Sequence, residues 1–418
     1  MKSNDLFFSL LRVAIGQQTK LPCVPSDDEW KEVLALLKRH TLLGIGFVAI
    51  QKLPKEQWPP SNIILTLSAY ATQIKAKNAK LTEECRDVVR QMGHDGIHAV
   101  VIKGQSNWEN YPKELREYRQ CGDIDIWTAP LPPGGGCCKG GNTDDGIAIV
   151  VQTGDSVEYE YYKGVRAIIE YARLQRRLRE DKSQFKPLYY HVQYHTEKGT
   201  EVEMHYRPSF LCSPIRNMRM QRWFKEQFDV CLKNKCQLGF PVLTSSVNVV
   251  YQLVHLYRHV FEGGIGLRQL MDYFFTLRVW HNDVMECKDL QSQGMWSDGL
   301  GTPVMSANGI MAVLKSFGML KFTAAVMYVL HEVFAMPIHY YICEPNEKEG
   351  RKLLAEIMQG GNFGQYDTRD VSLKNGGMMR HGVWKLKRIM RLVKSYPEEA
   401  LWEPVFRVWH LLWRIANR

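Results

Sequence analysis

Apolar positions recur at helical spacing from Ser3 to about Gly96. Trp30, Val33, Leu34, Leu36 and Leu37 share a face, and Asp27 and Asp28 stand where a helix would begin. A longer segment, Ser61 to Met92, carries Ile64, Leu65, Leu67, Ile74, Leu81, Val88 and Val89 at the same period and runs into Gly93 and Gly96, a glycine stop. The period then changes. HAVVI (His98 to Ile102) is a short β-type run, while DIDIW (Asp123 to Trp127) and TEVEMHY (Thr200 to Tyr206) alternate as half-buried strands do. Leu188 to Tyr194 reads as a further strand and Tyr159 to Glu180 as a helix. From Asn217 onward helical periodicity returns over Val247 to Glu262, Leu267 to Trp280, Gly309 to Phe334, Arg351 to Met358, Val383 to Tyr396 and Glu403 to Ile415. The pattern predicts an α+β protein: a helical region over 1–96, a small mixed α/β core over 97–210 and a helical domain over 211–418. A glycine-rich insertion, 131–146, interrupts the core.

Composition narrows the classes without choosing among them. The 418 residues are 45% hydrophobic and 23% charged, enough apolar material for real cores, so disorder is excluded as the main state. No run reaches the roughly 18 consecutive apolar residues of a spanning helix. The opening MKSNDLFFSLLRVAIG has Asp5 before its apolar stretch and Arg12 within it, and reads as an amphipathic helix rather than a secretion signal. Ten cysteines show no CxxC pair, so reduced thiols in a cytoplasmic protein are expected. The net charge of +10 favours an anionic partner, and nine basic against three acidic residues after position 379 place +6 of it in the last segment. There Trp384, Trp402, Trp409 and Trp413 are interleaved with Lys and Arg, which nucleic acid could use. Val383, Leu386, Ile389, Met390 and Val393, however, fit a packed apolar helix face, and that reading is preferred.

The informative chemistry is carboxylate. Asp123 and Asp125 are two apart on a predicted strand, so they leave the same face about 7 Å apart along the backbone, while Ile124 and Ile126 point to the other. Glu203 and His205 share a face of the last strand in the same way, and a third carboxylate on a neighbouring strand would complete a metal cage. Upstream, HAVVI runs into Lys103-Gly104-Gln105-Ser106 and a short helix. Glycine lets the backbone approach a phosphate, free N–H groups at a helix start receive it, and Lys103 adds charge. Arg119 offers phosphate contact or a clamp on the acidic strand. Arg268 and Asp272, at i and i+4, are expected to pair within their helix, with Arg268 facing a substrate phosphate as the alternative. His255 and His259 have a metal-like spacing but no companion ligand, which argues against a zinc site.

These residues, in this order, resemble a known family. KG, YP, RQCGDIDIW, VEMHYRP, HVFEGGIGLRQLMD (His259 to Asp272), GGNFGQY (Gly360 to Tyr366) and YPEEALWEPVFRVWH (Tyr396 to His410) are similar to the uncharacterised nucleotidyltransferases of the polymerase-beta-like superfamily, over about 300 residues. The resemblance implies a small mixed nucleotidyltransferase sheet flanked by helices. It also implies Mg²⁺ (or Mn²⁺) chemistry on a nucleoside triphosphate such as ATP, and a C-terminal helical region that shapes the acceptor site. Asp123, Asp125 and Glu203 match the catalytic, metal-binding acids. Gly104 sits where the superfamily has its glycine-serine turn; from the residues themselves, Lys103, Ser106 and Arg119 are the further nucleotide-binding candidates, with Lys103 pairing with an aspartate as the alternative, and His205 and Arg268 are candidates to support the acids or meet the substrate. The family's turn is usually Gly-Ser, whereas here Ser106 lies two residues beyond Gly104, and Glu replaces Asp at the third acid. The acceptor, whether small molecule, protein or RNA, is not written in the residues. A catalytically idle nucleotide- or partner-binding protein and a basic RNA-binding protein are the alternatives, and no membrane insertion is expected.

Overall fold

The computed structural model describes residues 3–130, 146–153, 156–292, 304–369 and 378–416. Its helices are α1 (Ser3–Ala14), α2 (Asp27–Arg39), α3 (Leu43–Lys52), α4 (Ser61–His94), α5 (Lys113–Arg116), α6 (Gly164–Leu178), α7 (Pro214–Lys233), α8 (Ser245–Glu262), α9 (Leu267–Ser292), α10 (Ala307–Ser316), α11 (Leu320–Phe334), α12 (Glu347–Gly360), α13 (Met378–Leu392) and α14 (Pro397–Ala416). The strands are β1 (Ile97–Val101), β2 (Ile124–Pro130), β3 (Gly146–Thr153), β4 (Ser156–Lys163), β5 (His191–His195) and β6 (Glu201–His205). The fold is α+β, as expected. A four-stranded mixed sheet has the order β1-β2-β6-β5, with β2 and β6 parallel and both outer pairings antiparallel, and β3 and β4 form a separate hairpin.

Alternation along the strands decides which way the sheet faces. Ile97, Ala99, Val101, Ile124, Ile126, Val192, Tyr194, Val202 and Met204 are buried on one face under α4 and α6, against Leu81, Val88, Met92, Ile168 and Ala172. Each fully buried aliphatic side chain contributes about 1.5–3 kcal/mol, so a one-residue slip of β2, which would expose Ile124 and Ile126 and bury the acids, is strongly disfavoured. The opposite face carries Asp125, Trp127, Glu203 and His205. Its Trp127 end is covered by α7, where Phe224 and Phe228 meet the indole edge-on at 5.9 and 4.7 Å. Its carboxylate end faces α8 and α9.

Helices from both ends of the chain share one core. Residues of α1, α2 and α3 pack in the same apolar cluster as α8, α9 and α11, and Arg12 Nε donates to the Val333 carbonyl across it at 3.2 Å. α2 begins with a capping box: Ser26 Oγ accepts from the Glu29 N–H, and Glu29 accepts from the Ser26 N–H. His40 closes α2. It is fully buried, stacks on Phe7 at 5.7 Å, and accepts the Leu267 N–H at Nδ1 over 3.4 Å. Burial, helped by Arg39, holds it neutral, down to about 3 from an ordinary value of 6.5. An unfolded His40 protonates near pH 6.5 and the folded one does not, so its contribution is complete above pH 6.5 and is lost as pH falls from there towards 3. Acid denaturation curves are expected to show this loss, on the order of a few kcal/mol. In His40→Gln the stability difference between pH 7 and pH 4 should be smaller; an unchanged difference would refute the assignment.

Two glycine-rich motifs prove to be one structural device. Gly263, Gly264 and Gly266 form the corner between α8 and α9, and Gly361 to Gly364 form the turn after α12. Their backbones touch: a Cβ on Gly364, whose φ is +64°, would stand 2.0 Å from the Gly263 carbonyl oxygen, and one on Gly266 would stand 3.1 Å from Asn362 Cα. Gly364→Ala is expected to cost on the order of 3 kcal/mol, combining a left-handed backbone with a clash that no side chain can relieve. Gly93→Ala is the control. It sits within α4 with nothing inside 4 Å and should be neutral or stabilising by up to about 1 kcal/mol. Urea denaturation of the two variants checks both expectations.

Several sequence expectations need correction. The Tyr159 to Glu180 segment is not a helix throughout: β4 runs to Lys163 and α6 starts at Gly164, whose φ of +54° makes the corner. The strand expected at Leu188 to Tyr194 is shorter and later, His191–His195. Gly309 to Phe334 is two helices parted at Gly318, φ +73°. In α13 the buried residues include Trp384, Ile389 and Leu392, whereas Val383, Leu386 and Met390, expected in the core, are exposed. The glycine-rich insertion lies, apart from Gly146, outside the described residues. Among the described residues no helix is long and apolar enough to cross a membrane.

Candidate active site

A cleft of about 830 Å³, its open mouth included, lies between the acid-bearing sheet face and helices α8 and α9. β2 and β6 bring the acids together from distant sequence. Asp125 and Glu203 are direct partners in the parallel pairing, and Asp123 precedes the strand on the same face. One oxygen from each of Asp123, Asp125 and Glu203 lies within 4.8 Å of the others. Asp125 is buried, and Asp123 and Glu203 are half-buried.

Crowding three carboxylates raises the electrostatic stakes. Asp125 beside it, reinforced by burial, pushes Asp123 up to about 6. For Glu203 burial acts upward, but His191, Lys103 and His205 outweigh it and hold the group well below the ordinary range. Lys103, at the end of β1, makes an ion pair with Asp125 and lies 3.8 Å from Glu203 Oε2. Burial opposes its charge, yet Asp125 prevails and keeps it firmly protonated. His205 Nε2 lies 3.1 Å from both Asp125 Oδ1 and Glu203 Oε2.

Gly104 follows Lys103 with φ +55°, and a Cβ there would stand 3.4 Å from the Asp123 carbonyl oxygen. The left-handed backbone, which favours glycine, opens the 3₁₀ helix Gly104–Asn110 beside the acidic strand. Ser106 does not join the group. It faces a neighbouring cavity lined by Asn234, Thr244 and Thr276.

Arg119 lines the cleft, but its guanidinium is engaged elsewhere. Nε and Nη2 donate to the two oxygens of Asp272 at 2.6 and 2.7 Å, and Tyr111 Oη donates to the same carboxylate at 2.6 Å. The intrahelical Arg268–Asp272 pair expected from spacing is therefore replaced by a tertiary one, with Arg119 the clamp on α9 rather than on the acidic strand. Arg268 Nη1 donates to the Gln120 carbonyl at 2.7 Å and keeps its place on the cleft wall.

Sequence reasoning missed the α8 contribution. Tyr251, His255, Arg258 and His259 fall at helical spacing on one face of a helix otherwise buried in apolar surroundings, and all four line the cleft. That polar stripe in an apolar helix was the available signal. Burial holds both histidines well below 6.5. Arg258 lies over the Tyr190 ring at 4.4 Å, and Phe363, φ +52°, sets its half-exposed ring against His259 at 5.1 Å at the cleft wall.

The arrangement has the parts that phosphate chemistry uses: converging oxygen ligands, cations beside them and a walled cleft. Compared with known proteins, residues 26–131 and 160–294, more than half of the chain, match a family described as "Uncharacterised nucleotidyltransferase". The matched segments contain every acid and cation of the cleft named above, and they leave out the Phe363 turn. No curated protein and no solved structure matches.

Proposed function

Because the chain belongs to the uncharacterised nucleotidyltransferase family, we propose that it moves a nucleoside monophosphate group from a nucleoside triphosphate to an acceptor at this cleft and releases pyrophosphate. An acceptor oxygen forms the new bond to the α-phosphorus as the bond to the departing pyrophosphate breaks. The observation that carries this reading is the convergence of Asp123, Asp125 and Glu203, within 4.8 Å of one another, on the wall of a cleft that also presents Lys103, Arg258 and Arg268.

The donor set suits a hard divalent cation: three carboxylates, two of them forced together closely enough to push Asp123 up to about 6, are the all-oxygen ligands that Mg²⁺ or Mn²⁺ takes. When bound, such an ion supplies charge neutralisation to the triphosphate and polarises the α-phosphoryl group. The chain's own residues do the rest. His205 stands between the Asp125 and Glu203 carboxylates, the Gly104 turn gives backbone access beside the acidic strand, and Arg258 and Arg268 attract the phosphates. The acceptor lies towards α8 and α9, which form the far wall.

Calorimetry tests the reading. Asp123→Asn combined with Asp125→Asn is expected to weaken Mg²⁺–nucleotide binding at least about tenfold, roughly 1.4 kcal/mol. Binding as tight as wild type would remove the metal assignment. Pyrophosphate release by the wild-type chain, offered each nucleoside triphosphate with a cell extract as acceptor source, separates an enzyme from a protein that only binds nucleotide.

A further inference from the structure

We propose that the sheet beside this cleft also holds a second divalent-metal site, built on His191, Glu203 and His205, whose mixed nitrogen and oxygen donors select a transition ion such as Zn²⁺ or Co²⁺ over Mg²⁺. The inference goes beyond nucleotidyl transfer and does not require it.

The sheet creates the triangle. His191 on β5 and His205 on β6 are direct antiparallel partners, and Glu203 is two residues before His205, so the three side chains leave one face together. His205 Nε2 lies 3.1 Å and His191 Nδ1 3.7 Å from Glu203 Oε2, and one ligand atom from each residue falls within 4.8 Å of the others. Donors held about 2.0–2.2 Å from a tetrahedral Zn²⁺ stand about 3.4 Å apart. The two edges to Glu203 bracket that value.

The hydrogen bonding is incomplete without a cation. Both histidines are almost wholly buried, and His191 Nδ1 has no hydrogen-bond partner among the described residues although a carboxylate oxygen lies 3.7 Å away. His205 Nε2 touches two carboxylate oxygens, of Asp125 and of Glu203, each at 3.1 Å. A single N–H cannot serve both well, and an unprotonated nitrogen would be repelled by both. A metal ion within the triangle uses the lone pairs of both imidazoles and the Glu203 oxygen at once. Two imidazoles and a carboxylate are the ligands of borderline transition ions, whereas Mg²⁺ prefers oxygen and retains its water. Glu203 belongs to this set and to the all-oxygen set beside it, so it would bridge two neighbouring ions of different kinds.

Full-length protein, freed of metal by chelator dialysis, is titrated with Co²⁺. The expected result is one equivalent giving visible ligand-field absorption that survives excess Mg²⁺. Asp123→Asn should keep this absorption, and His191→Gln should weaken Co²⁺ binding by about 100-fold or more, at least the loss seen when a supporting residue of a metal site is removed. X-ray absorption of the Zn²⁺-loaded wild type should show two imidazoles, a readout that needs no variant and decides the matter if His191→Gln does not fold. Absence of the ligand-field bands, displacement of Co²⁺ by Mg²⁺, wild-type affinity in folded His191→Gln, or a spectrum without imidazole scattering would each overturn the proposal.

Discussion

Asp272→Asn is expected to destabilise the protein by about 3–5 kcal/mol, the usual loss when one member of a buried ion pair is removed. Arg119 and Asp272 are both nearly excluded from solvent, and the fork of the guanidinium meets both carboxylate oxygens at 2.6 and 2.7 Å. Asparagine keeps the shape but loses the charge, and it turns an NH₂ group towards one of the arginine donors. Arg119 is then a buried cation without a counter-ion, and the Tyr111 hydroxyl competes for the one remaining acceptor. Asp272 ties α9 to the loop before β2, so the loss should reach the cleft geometry as well as global stability. The desolvation argument yields a second, sharper expectation. Arg119→Met with Asp272→Leu removes both charges of the pair; it orphans the Tyr111 hydroxyl, at about 1–3 kcal/mol, and takes one weak donor from the Cys121 thiol, so the double variant should be more stable than Asp272→Asn. Urea denaturation of the wild type and the two variants checks the order. A double variant at least as unstable as the single one would show that packing, not uncompensated charge, dominates at this position.

Lys103→Met should give the second large effect, one that depends on added cation. Lys103 is mostly buried and is the only lysine paired with Asp125 among the described residues. Removing it leaves Asp123, Asp125 and Glu203 crowded together with His205 and His191 as their remaining close partners. Without divalent metal the expected cost is again about 3–5 kcal/mol. Millimolar Mg²⁺ should recover much of it, because an ion at the acid cluster replaces the missing positive charge and stabilises the folded state by mass action. The wild type, whose lysine already occupies one side of Asp125, should gain less from the same addition. Thermal denaturation with and without Mg²⁺ reads both quantities, and an equal Mg²⁺ gain in the two proteins would separate Lys103 from the metal position.

The legible parts of this molecule are those fixed by short-range periodicity. Ile124 and Ile126 alternate with Asp123 and Asp125 in the sequence and on opposite faces of the structure, and the same holds for Glu203 and His205 against Val202 and Met204. Helical spacing located α2, α4, α8 and α9 because their apolar stripes face a continuous core. Pairings made in three dimensions left no such trace. Arg268 and Asp272 looked like partners because i and i+4 neighbours meet on a helix, yet Arg119, distant in sequence, offers a bidentate fork in a drier environment and takes the carboxylate. The α13 face failed for a related reason. Its apolar residues surround the helix more widely than one neighbour can cover, so Trp384 and Ile389 are buried while Val383 and Met390 remain exposed. The glycines of GGIG and GGNFG were visible as motifs, but their meaning required each other: the two loops approach backbone to backbone, a contact that neither segment announces alone.

The parallel pairing of β2 with β6 carries a consequence for how the chain folds. Asp125 and His205 are neighbours across that pairing although 80 residues separate them, and the β3–β4 hairpin, α6 and β5 are all threaded into the interval. The entropy of closing so long a loop grows only with the logarithm of its length, but contacts of high sequence separation form slowly and after local ones. The helices and the hairpin have every local reason to form first. Glu203 remains apart from Asp123 and Asp125 until the centre of the sheet closes, and a chain still being synthesised has no cleft until β6, α8 and α9 have emerged. The three-acid cluster therefore exists only once β2 and β6 have paired, so it reports on completion of the sheet and on no earlier stage of folding.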